Sequence, residues 1–404
     1  MSKTTSKIPI FFALYIIIAL FPQIFHFGGM LSLVWKIAVV LLLFLRIASA
    51  GLVYSMSSVG VKYMAFYILM RVICLFTNES VGIETILNIG IELLLLYFFL
   101  DTPIRDNRIV ESNVLQFLNI YVFFIIISCL YNMVANYNVL LHLNTLSVYG
   151  KNATHSFFDN KNTFGVFLIF GSLASMFLKV IEGKQRWLFA IILFLLNELM
   201  AMCRTAIILT LIILIISFLM GERDLFFKRL AFSVFLIIVC GVLCWFVPQI
   251  RSFLTNNVFG STNSLDSRNG YLSKMIPLLH GVYLVFGYGD EKSIELAAEY
   301  AGNRYYHNTY LHILMSGGVL KFAFFIVIII HSIIITYKVF KKDAKTGSLC
   351  FSAIMLYLIY SWVESVILFE TPVIATLATI FVVSIPQFFY NAKINNTLLV
   401  GNDE

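Results

Sequence analysis

Apolar runs of about 20 residues, the length needed to cross a bilayer core, follow one another along almost the whole chain. Only one long hydrophilic stretch, from about Pro248 to Asn308, breaks that pattern. Such a chain has little choice of fold. A segment in lipid must satisfy its own backbone hydrogen bonds, and helices do so within each segment. Charged residues make up 12% of the 404 positions, about half of the usual share in a soluble domain. The sequence therefore predicts an all-α, polytopic membrane bundle forming a single domain over residues 1–404. One large loop, 249–308, is set within it.

Candidate spans lie near 8–25, 31–50, 61–77, 81–100, 113–134, 162–181, 187–203, 205–221, 229–248, 318–338, 348–368 and 372–390, about 12 in all. The basic residues orient them. With both termini cytoplasmic, the inner connections carry Lys3 and Lys7, Arg46 and Lys62, Arg105 and Arg108, and Lys179, Lys184 and Arg186. Arg223, Lys228 and Arg229, then Lys338, Lys341, Lys342 and Lys345, and finally Lys393 continue the series. The short outer connections carry only Lys151, Lys161 and Arg204. That alternation satisfies the positive-inside rule and makes the long loop extracytoplasmic. It also explains the net charge of +7 as orientation anchors, with no nucleic-acid partner implied. No small-residue cleavage site follows the first apolar run, so a cleavable signal is not expected. Six cysteines, scattered without a CxxC, read as small buried hydrophobes.

Within the loop, Asp290 is expected to cap a helix running to about Ala301, with Gly302-Asn303 as its stop. After His307 the pattern is helical for about two turns and then meets Gly317-Gly318, a pair that permits a break in a helix.

Several polar side chains fall on the same outer rim. Arg204 joins two apolar helices at a tight turn that needs no arginine, and Arg268 lies in the loop within LDSRNGYL. Guanidinium groups hold phosphate bidentately and remain charged at any working pH. Two of them near a membrane surface point to a lipid-linked phosphate or pyrophosphate. His307 opens a helix at the water–lipid boundary and is the candidate general base. Asn160 and Lys161 at the start of a span, Arg304 in the loop, and Asn308 and Tyr310 beside His307 are the candidate substrate-holding residues. Lys36 and Lys321 read as lysines snorkelling to the interface, and His312 as a packing residue. No HExxH or carboxylate cluster argues for a metal, and no cofactor is expected. Arg71, Glu84, Glu92 and Glu198 lie within spans, where lipid exposure costs about 3 kcal/mol each. A pairing of Arg71 with Glu92 or Glu198 is expected. Glu364 and Glu370 sit where they can join the outer site.

At these residues the sequence resembles the O-antigen ligase and Wzy-type polysaccharide polymerase family. CRTA at Cys203–Ala206 is similar to that family's S-R-T/S-A at the outer end of a span. DSRNGYL with GVYLVFGYGD resembles its S-R…P-x-x-G-x-G loop, HNTYLHILMSGGVLKF its helix entry, and DNKNTFG at Asp159–Gly165 its D-x-N-x-x-G opening of an earlier span. The likeness runs over roughly Asp159–Val327. Met202-Cys203 departs from the usual residues before the arginine, and the expected proline is displaced to Pro277.

The resemblance implies a GT-C-like, metal-independent glycosyltransferase of the bacterial plasma membrane. Its donor would be a glycan on undecaprenyl pyrophosphate presented from the outer leaflet. Arg204 and Arg268 would hold the departing pyrophosphate, His307 would deprotonate the acceptor hydroxyl, and the anomeric configuration would invert. The apolar bundle would hold the polyprenyl tail, and a flippase and a chain-length regulator would be the partners. A polymerase acting on lipid-linked repeat units is the expected activity. An O-antigen ligase-type transferase to another acceptor is the first alternative, and a lipid-linked oligosaccharide flippase the second. A flippase is usually built from two repeated halves, and the chain has no such repeat. A non-catalytic assembly protein is a third reading.

Overall fold

The computed structural model describes residues 110–142, 153–220, 271–302, 306–369 and 373–390, with isolated helical positions between 37 and 93 and between 225 and 239. No strand occurs among them. The helices used below are α1 (Val110–Ala135), α2 (Lys161–Glu182), α3 (Arg186–Met200), α4 (Arg204–Met220), α5 (Val282–Phe286), α6 (Asp290–Ala301), α7 (Thr309–Lys342), α8 (Ala344–Val363) and α9 (Val373–Tyr390).

Five of these, α1, α2, α7, α8 and α9, are long and apolar enough to cross a membrane, and the chain is a multi-pass helical membrane protein. They coincide with the expected spans at 113–134, 162–181, 318–338, 348–368 and 372–390. Helices α3 and α4 have 15 and 17 residues, about 22 and 25 Å at 1.5 Å per residue. Helix α3 is shorter than the span read at 187–203, and α4 is as long as the one read at 205–221. The expected spans at 8–25, 31–50, 81–100 and 229–248 lie largely, and that at 61–77 partly, outside the described residues, so the total of about 12 is not established by the fold.

Helix α2 is the centre of the bundle, buried on nearly every face. Small residues make that possible. A Cβ on Gly171 would come within 3.1 Å of Phe194 on α3, and one on Gly165 within 2.4 Å of Cys203 Sγ. Small side chains let helices approach closely where lipid supplies no hydrophobic drive between them. Helix α2 starts with Asn160 Oδ1 accepting from the Thr163 amide at 2.9 Å and stops at Gly183 in the left-handed conformation. Helices α7 and α8 form an antiparallel pair around Asp343, whose carboxylate caps α8 by accepting from the Lys345 and Thr346 amides.

The break in α7 falls where the glycine pair predicts it. Gly318 has φ 63 and ψ −163 inside an otherwise helical run. Breaking the helix there frees the carbonyls of the preceding turn, and the loop satisfies them. Tyr288 N donates to Met315 O at 2.8 Å and Gly289 N to Ser316 O at 3.0 Å. The approach is close enough to exclude side chains on both partners. A Cβ on Gly287 would lie 2.4 Å from Gly317 N, and one on Gly318 would lie 2.3 Å from the carbonyl of Val285. Gly318→Ala combines a left-handed backbone with a clash against main chain. It is expected to destabilise the protein by more than about 1 kcal/mol and to expose the 271–302 segment to limited proteolysis. A native cleavage pattern would contradict this account of the break.

The loop carries its own small core. Met275, Leu296, Ala297 and Tyr306 pack with Leu311 and Met315 of α7, and Tyr306 Oη donates to Ser293 O at 2.6 Å. Helix α6 covers Asp290–Ala301 and stops at Gly302 in the left-handed conformation, as expected. Asp290, however, is not its cap. Gly289 occupies that position, and the Asp290 carboxylate turns toward the bundle, where two cations compete for it.

Candidate active site

Four helix ends meet at one end of the bundle. The start of α7 supplies His307 and Asn308, the start of α2 supplies Asn160–Asn162, the start of α4 supplies Arg204, and the exit of α8 supplies Glu364. Helix α7 begins because Asn308 is an N-cap in extended conformation. Its Oδ1 accepts from the Leu311 amide at 2.9 Å, and its Nδ2 donates to Trp362 O at 3.3 Å. Thr309 ties the same turn to α8, donating from Oγ1 to Glu364 O and accepting from Val366 N, both at 2.8 Å. Seated this way, His307 has its Nδ1 3.2 Å from Glu364 Oε2.

Glu364 is the residue around which the site is organised. One carboxylate oxygen meets His307, and the other accepts from Asn162 Nδ2 at 3.3 Å. Chain segments 202 and 57 residues away are thus joined at one side chain. The His307 side chain is 38% exposed and that of Glu364 21%, so a substrate can reach the imidazole while the carboxylate stays behind it. A carboxylate at Nδ1 selects the tautomer whose basic lone pair is on Nε2.

Arg204 is the first residue of α4, directly after a turn in which Met202 takes φ 48. It is half-buried. Its neighbour Cys203 lies within electrostatic reach of Lys161 and Glu364 and packs over Gly165. The CRTA and DNKNTFG segments are therefore in contact, beside the carboxylate that holds His307. Arg268, Arg304, Lys36, Glu84 and Glu370 lie outside the described residues.

Other candidates have structural tasks. Asn160 and Asn308 are N-caps, and Tyr310 Oη donates to Leu358 O at 2.7 Å with its ring packed on Phe325 and Trp362. His312 packs as expected, its Nδ1 2.7 Å from Ser365 Oγ and its ring stacked on Tyr306 at 4.6 Å. Lys321 does not snorkel. It is 6% exposed, and its Nζ sits 3.3 Å from Asp290 Oδ1 and 3.0 Å from Ser316 Oγ.

The same carboxylate meets Arg71, whose Nη1 is 2.6 Å from Asp290 Oδ2 and whose Nη2 is 3.2 Å from Glu92 Oε2. Tyr67 donates its hydroxyl to Glu92 as well. The expected Arg71–Glu92 pair thus exists, while Glu198 accepts instead from Thr210 Oγ1 at 2.7 Å. Burial by itself would raise the Asp290 carboxyl, but Lys321 and Arg71 hold it well below the usual carboxylate range. This network pins the start of α6 to the bundle beneath the break in α7.

Among the described residues, no group of three or more His, Cys, Asp or Glu side chains is placed to hold a metal ion. Cys129, Cys203 and Cys350 are buried free thiols.

Residues 188–326 match the family model described as O-antigen ligase. The likeness to the O-antigen ligase family is carried by this segment of the chain. The match runs from α3 through the break in α7, so it contains Arg204, His307 and the glycine contacts. Asn162 and Glu364 lie on either side of it. No curated protein matches the chain.

The Glu364 role was accessible to sequence reading only as a carboxylate near the outer end of a span. Asn162 had no signal beyond its place inside DNKNTFG.

Proposed function

We propose that the O-antigen ligase-like segment and the helix ends around it form a metal-independent glycosyltransferase. It polymerises lipid-linked repeat units at the extracytoplasmic face of a bacterial plasma membrane. The observation that carries this reading is the His307–Glu364–Asn162 arrangement, with Lys161 adjacent to Asn162 in the chain and Arg204 adjacent to Cys203, which packs over Gly165 of the same helix as Asn162. The arrangement holds an orientated imidazole for removal of a proton, and the nearby helix starts supply the cations that departure of a diphosphate requires.

In the reaction, the acceptor sugar hydroxyl gives its proton to His307 Nε2 as its oxygen attacks the anomeric carbon of the donor. The bond from that carbon to the pyrophosphate oxygen breaks. Undecaprenyl pyrophosphate leaves with the electron pair, and the configuration inverts. Arg204, aided by Lys161, stabilises the charge that develops on the leaving oxygen. Arg268 joins that task on the strength of the family's loop pattern, and Arg304 through its place in the chain three residues before His307. Glu364 holds the productive tautomer and stabilises the imidazolium once formed. The family's known action on lipid-linked oligosaccharides in membranes supports the substrate class.

Glu364→Gln tests the arrangement. The amide keeps shape and hydrogen bonding but removes the charge that fixes the imidazole. Turnover of undecaprenyl-pyrophosphate-linked repeat units is expected to fall by about 10²-fold or more, with substrate binding nearly unchanged. Glu364→Asp is expected to recover part of the loss. Wild-type turnover in Glu364→Gln would remove the carboxylate from the mechanism. Extension of a lipid-linked repeat unit distinguishes a polymerase from a transferase that uses another acceptor.

A further inference from the structure

The end of the bundle remote from His307 contains a second feature that the transferase reading leaves unused. Helix α2 runs from Asn162 at the site to Lys179 and Gly183 at its other end, and α8 runs from Lys345 to Glu364. At 1.5 Å per residue each covers about 30 Å, so the two ends lie on opposite sides of a bilayer-thick bundle.

Between α2, α3, α4 and α8 at that remote end is a cleft of about 500 Å³. Three cations line it: Lys179 from the last turn of α2, Lys345 from the first turn of α8, and Arg229 from the segment after α4. No acidic side chain among the described residues lines it.

The cleft is built for an anion with an apolar attachment. The Arg229 guanidinium is fixed in place, donating from Nη1 to Phe218 O at 2.9 Å and lying 5.1 Å over the Phe218 ring. Ser217, also in the lining, has a buried Oγ with no hydrogen-bond partner among the described residues. That hydroxyl is a donor without an acceptor inside a cationic cleft. Gln185 adds an amide. Leu214, Phe218 and Leu349 make the rest of the wall apolar, and Phe218, Phe227 and Phe232 are exposed at 44%, 80% and 52% on the adjoining surface. Exposed aromatics beside lysine and arginine mark the headgroup level of a membrane protein. Basic pockets between helices at that level suit phosphate headgroups.

We infer that this cleft binds a phosphate ester, supplied by an anionic phospholipid whose acyl chains lie along the apolar wall or by a soluble phosphate compound. Lys179, Arg229 and Lys345 neutralise the phosphate, and Ser217 donates to it. The ligand holds together the ends of α2, α4 and α8, whose opposite ends build the His307 site.

The test is thermal unfolding of the full-length protein in nanodiscs of phosphatidylcholine alone, with added phosphatidylglycerol, or with inorganic phosphate in the buffer. Phosphatidylglycerol is expected to raise Tm by about 3 °C or more. Lys179→Gln/Lys345→Gln should lose most of that rise. Lys341→Gln/Lys342→Gln, which removes neighbouring charges outside the cleft lining, should keep it, as should Lys179→Arg/Lys345→Arg. Ser217→Leu fills the cleft without altering charge and should lose the rise too, which decides the matter if the double variant fails to insert. A rise with inorganic phosphate alone, lost in the same variants, assigns the ligand to a soluble phosphate compound. No rise with either addition, or an equal rise in the lysine-to-glutamine cleft variant or in Ser217→Leu, overturns the proposal.

Discussion

Replacing His307 with alanine is expected to cut glycan transfer by a factor of about 10²–10⁴ while leaving membrane insertion and the helix ends intact. His307 is 38% exposed, and its ion-pair contact to Glu364 Oε2 contributes little to folding at such a site. The start of α7 does not depend on it either, because Asn308 provides the cap and Thr309 the contacts to Glu364 O and Val366 N. Loss of activity should therefore appear as loss of turnover, with Tm within a degree or two of wild type and donor binding preserved. The measurement is product formation from lipid-linked repeat units together with unfolding of the same preparation. Activity within tenfold of wild type would mean that another group takes the proton.

The largest expected effect on stability comes from Asp290. Arg71 and Lys321 both rest on its carboxylate, and both side chains are only 7% exposed. Asp290→Ala strands two buried cations, with Glu92 the carboxylate left beside Arg71 among the described residues. Removing one partner from a buried pair costs about 3–5 kcal/mol, far more than the pair's net contribution. The same change releases the start of α6, so the 271–302 segment should become susceptible to protease before the bundle unfolds.

Acid should act in the same direction. Because the carboxyl is held below its ordinary range in the folded protein, its stabilising contribution is complete above the unfolded value of about 3.9. It is lost only as pH falls through the folded value. Between pH 5 and 8 the Asp290 contribution should thus be constant, with the difference between wild type and Asp290→Asn unchanging over that window. A cost below about 1 kcal/mol for Asp290→Ala would show that the network is already open to water.

The asymmetry between what could and could not be read from the chain has a physical origin. Features set by nearby residues were legible. The stop of α6 at Gly302 and the break at Gly318 follow from the backbone freedom of glycine, and the long helices α1, α2, α7, α8 and α9 follow from apolar run length. The Arg71–Glu92 pair was legible because burial leaves an intramembrane charge few alternatives. Features set by how the loop returns to the bundle were not. Lys321 looks like a snorkelling lysine in isolation. Only when Tyr288 and Gly289 cap the broken turn does Asp290 arrive beside it. Asp290 in turn looks like a helix cap, since an aspartate opening a polar helix is the common signal for one. Asn162 and Glu364, 202 positions apart, share no local pattern that would pair them.

The account's central claim is that His307 and Arg204, carried by different helices, act on one lipid-linked diphosphate without a metal. It is tested most directly by purified protein acting on undecaprenyl-pyrophosphate repeat units in excess chelator, with wild type, His307→Ala and Arg204→Ala side by side. The account predicts elongation by wild type in chelator and loss of product in both variants, each still inserted and folded. Product ladders unchanged in either variant, or wild-type activity abolished by the chelator and restored by a divalent cation, would contradict it.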